Sequence, residues 1–295
     1  MKIVIITECT AREMIVVQKV VDEFPDTIII QPVYPKRRKK LSSLPKRALM
    51  KRQYNLLKKK CDVKIQIPKT PKHLLLPSSQ LNSQNGVEII KEQTPDVLIT
   101  CRAPILCEEI IQAPSIAAVN VHYGIAPKYR GNDSIFWALY HQDFKHLGGC
   151  LHYITKGVDT GNILAKVYPA LSEADDEASI GIKTSKLLAE TLTEYLHIIT
   201  SLGISVPGEK QKSKGRNYKY SERTLFKSLS LLSLLHFKKI RIPSTPTKIV
   251  TFFPTEKNKA PKKSSILAIK NHQNPQKTIT KLIGKCHLFI KLYMT

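Results

Sequence analysis

The run Ile116-Ala117-Ala118-Val119-Asn120-Val121-His122 carries the signature of the fold. Extended chain alternates its side chains between two faces, and this run is apolar on both from Ile116 to Val121, so it reads as a central strand covered on both sides. Upstream, Asp96–Cys101, Thr27–Val33 and Lys2–Thr7 are similar apolar runs, with a further strand expected at Cys61–Ile67. Between them, Ala11–Phe24 places Met14, Val17, Val20 and Val21 at helical spacing, and shorter helices are expected at Val87–Glu92, Leu106–Ile111 and Ser134–Tyr140. Strands alternating with helices predict an α/β chain with a doubly wound, mainly parallel sheet. Downstream, Cys150–Ile154 and Asn162–Tyr168 read as strands joined by the turn Gly157-Val158-Asp159-Thr160-Gly161. The Lys183–Leu202 helix puts Leu188, Leu192, Tyr195, Ile199 and Leu202 on one face, and Gly203 stops it. The expected organisation is a domain over 1–206, a linker over 207–224 and a partly ordered basic C-terminal extension over 225–295.

The chain has 295 residues, 47 Lys+Arg against 23 Asp+Glu, and a net charge of +24, which suits anionic partners. Phe226 to Thr295 holds fourteen basic residues and the single acid Glu256, and Lys36 to Lys60 holds twelve basic residues and no acid. The first glycine is Gly86, so the first strand and helix lack a dinucleotide-binding GxGxxG turn, and no GxxxxGK[ST] loop occurs. NAD and ATP chemistry of those kinds is excluded. Six cysteines without a CxxC pair, no signal-like N-terminus and no run long enough to span a bilayer lead to a cytoplasmic expectation.

Seven of the twelve glycines lie between Gly124 and Gly181, where backbone turns tightly. Asn120 and His122 are two apart on a strand and project together from its carboxyl end, where open α/β sheets bind ligands. An amide and an imidazole there suit carbonyl polarisation and proton exchange, and Asp159 is the candidate carboxylate for His122. The same pair also fits a hydrogen-bonded histidine at a strand end. His141, Asp143 and His146 have poor metal-ligand spacing and read as a solvated loop, so no metal is expected. Phe136 and Trp137 read as core.

Asn120-x-His122, Pro127-x-Tyr129-Arg130-Gly131, Phe136-Trp137-Ala138, Gly149-x-x-His152 and Asp159-x-Gly161-x-Ile163 together resemble the folate-dependent formyltransferase family over about Met1 to Leu202. The resemblance implies a Rossmann-like catalytic domain that moves a formyl group from 10-formyltetrahydrofolate to an amine, with Asn120, His122 and Asp159 as the catalytic trio. It also places Arg102, Pro104, Ile105 and Leu106 where the family's backbone meets the pterin, and His152 near the site in either a binding or a structural role. Gly124-Ile125-Ala126-Pro127 replaces the Ser-Leu-Leu-Pro turn common after the motif histidine and is nearer to members that act on nucleotide-linked amino sugars. That acceptor is the leading expectation.

The alternatives are a methionyl-tRNA acceptor, hydrolysis of the formyl donor, and a basic nucleic-acid-binding protein on a catalytically silent fold. In the extension, Leu225, Leu229, Leu232 and Leu235 recur near helical spacing ahead of Lys238, Lys239 and Arg241. This segment is read either as resting on an anionic membrane surface or as a helix packed on the domain or at a homo-oligomer interface.

Overall fold

The computed structural model describes residues 1–35, 48–49, 51–52, 55 and 72–255. In β1 (Ile3–Thr7), Ile3 and Ile5 enter one hydrophobic core while Val4 and Ile6 enter another, so strand alternation supplies both layers. The first core is capped by α1 (Ala11–Glu23) and by α5 (Glu177–Leu202), which bring Met14, Val17, Leu192 and Tyr195. The second is capped by α2 (Gln84–Glu92) and α3 (Glu108–Ile111), through Val87, Ile90 and Ile110. β2 (Ile28–Val33), β4 (Val97–Cys101) and β5 (Ala117–His122) follow the same two-sided rule.

β3 (Lys72–Pro77), β7 (Gly149–Tyr153), β8 (Ile163–Tyr168) and β10 (Lys248–Thr251) complete an eight-stranded sheet. Its order is β10-β8-β7-β5-β4-β1-β2-β3. The β3 to β5 side is parallel throughout, and β7, β8 and β10 add antiparallel pairings, so the α/β, Rossmann-like expectation holds with an antiparallel flank. β5 lies in the interior between β4 and β7. A separate two-stranded sheet pairs β6 (Tyr129–Gly131) with β9 (Arg216–Tyr218), and α4 (Ser134–Tyr140) follows β6.

Three differences from the sequence reading have physical causes. α5 starts at Glu177, six residues before the expected Lys183, because Asp176 and Ser179 form a reciprocal capping box. β3 was not expected, since Pro71 and Pro77 bracket its leucines; the strand expected at Cys61–Ile67 lies outside the described residues, as do most of the 36–60 stretch and all of 256–295.

The third difference concerns residues 207–255, which pack onto the sheet body. Tyr218 of β9, Leu231 of α6 (Leu225–His236), Ile240 and Ile242 share a core with Phe136 and Trp137. Phe253 packs on Tyr195, and Arg223, 2% exposed, is bidentate to Glu177 at 2.8 and 2.9 Å. Within α6, Leu231 is buried while Phe226, Leu229 and Leu232 are exposed, and no described helix is long and apolar enough to cross a membrane.

Candidate active site

Register on three neighbouring strands builds the site. Thr100 of β4 stands opposite Asn120 of β5, and Asn120 stands opposite His152 of β7, which makes one polar row across three neighbouring strands. The row is hydrogen-bonded along its length: Thr100 Oγ1 donates to Asn120 Oδ1 at 2.7 Å, and Asn120 Nδ2 lies 3.0 Å from His152 Nε2. His122 follows two residues after Asn120 on the same face, as alternation requires.

The turn between β7 and β8 delivers Asp159 to this row. Asp159 has φ 50°, and Gly161 beside it is required by space, since a Cβ there would sit 1.8 Å from the Tyr153 carbonyl oxygen. Its Oδ2 accepts from the Gly131 N–H at 2.7 Å and lies 3.4 Å from His122 Nδ1. Its Oδ1 lies 3.3 Å from both Asn120 Nδ2 and His152 Nε2. Gly131 has φ 79°, and a Cβ there would meet Asn217 Oδ1 at 2.2 Å, so only glycine brings this N–H to the carboxylate. Burial pushes the Asp159 carboxyl up, but the charges of His122 and His152 with the Gly131 N–H outweigh it and hold it below the usual carboxylate range.

The partners fix the protons. Tyr129's carbonyl can only accept, so His122 Nε2, 2.9 Å away, carries a hydrogen, and Nδ1 is the nitrogen that faces Asp159. Tyr153's carbonyl is 2.8 Å from His152 Nδ1, so that nitrogen also carries a hydrogen, and Nε2 faces both Asn120 Nδ2 and Asp159 Oδ1. His152 thus joins the Asn120 and Asp159 network directly.

The trio opens into a cleft of about 1130 Å³ that also contains the Arg102–Leu106 loop, Arg12 and the α6 residues Leu231, Leu232 and Leu235. Arg102 has φ 54° and its Nε donates to Glu8 at 2.8 Å, so its side chain is committed to the cleft wall. Asn82 Nδ2 takes the Ile105 carbonyl at 2.8 Å, and its Oδ1 receives the Cys107 N–H at 2.8 Å. Pro104 has no N–H, and those of Ile105 and Leu106 have no partner among the described residues.

Thr100, Asn82, the Gly131 N–H and Gln211 are site parts that the sequence reading missed. Gln211 Nε2 donates to the carbonyls of Asp159 and Gly161, both at 2.8 Å. Each acts across a long sequence separation, and only the unusual Thr in the apolar run Val97–Cys101 offered a signal. Arg12, over the Tyr123 ring at 4.6 Å, and the fully buried Glu13 were not singled out either.

Asp143 accepts from Tyr129 Oη at 3.1 Å and pairs with Lys128 at 2.9 Å and His146 at 2.8 Å. Among the described residues no group of three His, Cys, Asp or Glu is placed to hold a metal ion. Phe136 and Trp137 are core, as expected.

The formyl transferase family model matches residues 34–196. A methionyl-tRNA formyltransferase of Caldanaerobacter subterraneus subsp. tengcongensis is 36% identical over 146 residues, 49% of this chain and 46% of that protein. The chain therefore spans under half the length of that relative. Among solved structures, a sugar N-formyltransferase from Shewanella sp FDAARGOS_354 superposes with a TM-score of 0.52 at 15% identity, covering 79% of this chain and 87% of that one. A 4-N formyltransferase from Francisella tularensis gives 0.51 at 14% identity, covering 75% and 77%. These likenesses are of fold.

Proposed function

The chain belongs to the formyl transferase family, and on that premise we propose that it transfers a formyl group from 10-formyltetrahydrofolate to an amine. The observation that carries this reading is the convergence of Asn120, His122 and Asp159, with His152, at the floor of one cleft. The unpartnered N–H groups of Ile105 and Leu106, beside the Pro104 carbonyl, fit the alternating donor and acceptor edge of a pterin. When bound, the folate supplies the formyl carbon that the amine takes.

The residues then divide the work. Asn120 holds two N–H groups toward His152 and Asp159 while Thr100 fixes its oxygen, so turning one N–H to the formyl oxygen stabilises developing negative charge. Such a donor is worth roughly 10²- to 10³-fold. His122 Nδ1 and Asp159 face each other and take the proton released by the attacking amine, a role worth about 10²- to 10⁴-fold.

For the acceptor we propose a nucleotide-linked amino sugar, which the Gly124–Pro127 turn supports. A methionyl-tRNA acceptor is the second reading, favoured by the identity to methionyl-tRNA formyltransferases over 146 residues. Supplying each acceptor with the formyl donor decides between them: formyl-dependent turnover with the sugar and not with methionyl-tRNA supports the first, and the reverse overturns it. Formate release without any amine would favour hydrolysis.

A further inference from the structure

A second cavity, of about 340 Å³, shares the Asp159 turn. It is lined by Arg130, Thr160, Gln211, Lys212, Ser213 and Lys214. All six side chains donate hydrogen bonds, three are cations, and none is a carboxylate. Arg130 Nη1 reaches the Val158 carbonyl at 3.5 Å, yet its Nε is buried with no partner, and no acid pairs with Arg130, Lys212 or Lys214 among the described residues. A buried guanidinium nitrogen without a partner, on a residue that lines a cavity walled by donors, leaves that cavity short of one acceptor-rich group.

The backbone holds these residues in place. Arg130 sits on β6, which pairs with β9, and residues 211–214 lead into β9, so one wall is a strand of the small sheet and the other is the segment that enters its partner strand. Gln211 ties the second wall to the catalytic turn through the Asp159 and Gly161 carbonyls.

We propose that this cavity is an oxyanion site, taking a phosphate or carboxylate group through Arg130, Lys212 and Lys214. A planar guanidinium suits two oxygens at once, and the two ammonium groups neutralise the remaining charge. Two ligands of the proposed reaction carry such groups: the phosphates of a nucleotide-linked acceptor and the glutamate carboxylates of the folate. Assigning the source rests on the formyl-transfer reading; the anion chemistry does not.

The test titrates the full chain with inorganic pyrophosphate at fixed ionic strength, read by calorimetry. Saturable binding is expected. Lys212→Gln/Lys214→Gln should weaken it about ten-fold or more, as loss of charge-assisted hydrogen bonds implies. The control pair Lys238→Gln/Lys239→Gln, on a separate exposed basic segment after α6, should change it less than about two-fold. No saturable binding, or equal loss in both pairs, overturns the site.

In turnover assays, a raised KM of the Lys212/Lys214 pair for a polyglutamyl but not a monoglutamyl donor assigns the folate tail. A raised KM for the acceptor alone assigns its phosphates. Unchanged KM for both overturns the substrate role. An unmodified protein with no formyl transfer would sink the proposed function and leave the pyrophosphate titration to decide the anion site.

Discussion

Replacing Thr100 with Val keeps the shape of the side chain and removes the one donor that orients Asn120. The Thr100 hydroxyl lies 2.7 Å from Asn120 Oδ1, and it is 5% exposed, so water does not readily substitute. A lost hydrogen bond costs about 1 kcal/mol, and leaving the buried oxygen unsatisfied raises this to roughly 1–3 kcal/mol. The amide can escape by flipping, but that turns its oxygen toward the Asp159 carboxylate and removes both N–H groups from the site. Either way the productive orientation loses its support, and kcat for formyl transfer should fall about 5- to 150-fold, the factor equivalent to 1–3 kcal/mol. KM should move little. Steady-state assays of Thr100→Val and Thr100→Ser, with urea unfolding alongside, check this, since serine retains the hydroxyl and should recover most of kcat. Wild-type kcat in the valine variant, or a serine variant as impaired as valine, would refute the reasoning.

Arg223→Met should destabilise the fold by about 3–5 kcal/mol, because it strands Glu177 and Asp133 without their cation, and a denaturant melt reads the loss directly. Ending the chain at Lys219, a cut the sequence reading would tolerate, removes Leu231, Ile240, Ile242 and Phe253 from the core and should give insoluble protein; a soluble, active product would show that 220–255 is dispensable. Burial raises the Asp143 carboxyl, but His146, Lys128 and Tyr129 more than offset it and bring it to about 2, below the usual carboxylate range. A depressed carboxyl stabilises the fold above its unfolded pKa and loses that contribution as pH falls through its folded one. Asp143→Asn should therefore cost about 2 kcal/mol at pH 6 and almost nothing near pH 2, measured by urea unfolding at both.

Much of the sheet was legible because β1, β4 and β5 are apolar on both faces, a pattern few other elements share. The helical face of α5 was equally plain, but its first six residues were not, since Gly181 interrupts the apolar spacing and the capping box is a local polar signal. Gly181 is small for a tertiary reason: a Cβ there would meet Arg12 Cδ at 3.0 Å. Asn120, His122 and Asp159 stood out through strand spacing and family resemblance. Thr100, Gln211 and Arg223 did not, because each acts alone through partners 20 to 90 residues away. The packing of 207–255 was hidden in the same way, as β9 has three residues and β10 four.

We propose that Asn120, His122 and Asp159 carry amine-dependent formyl transfer. It is tested most directly by following 10-formyltetrahydrofolate consumption with a nucleotide-linked amino sugar, in the unmodified protein and in His122→Asn. Amine-dependent turnover that falls about 10²- to 10⁴-fold in a variant with an unchanged melting curve is the predicted result. Turnover within a few-fold of the unmodified protein, or equal donor consumption with and without amine, would contradict it.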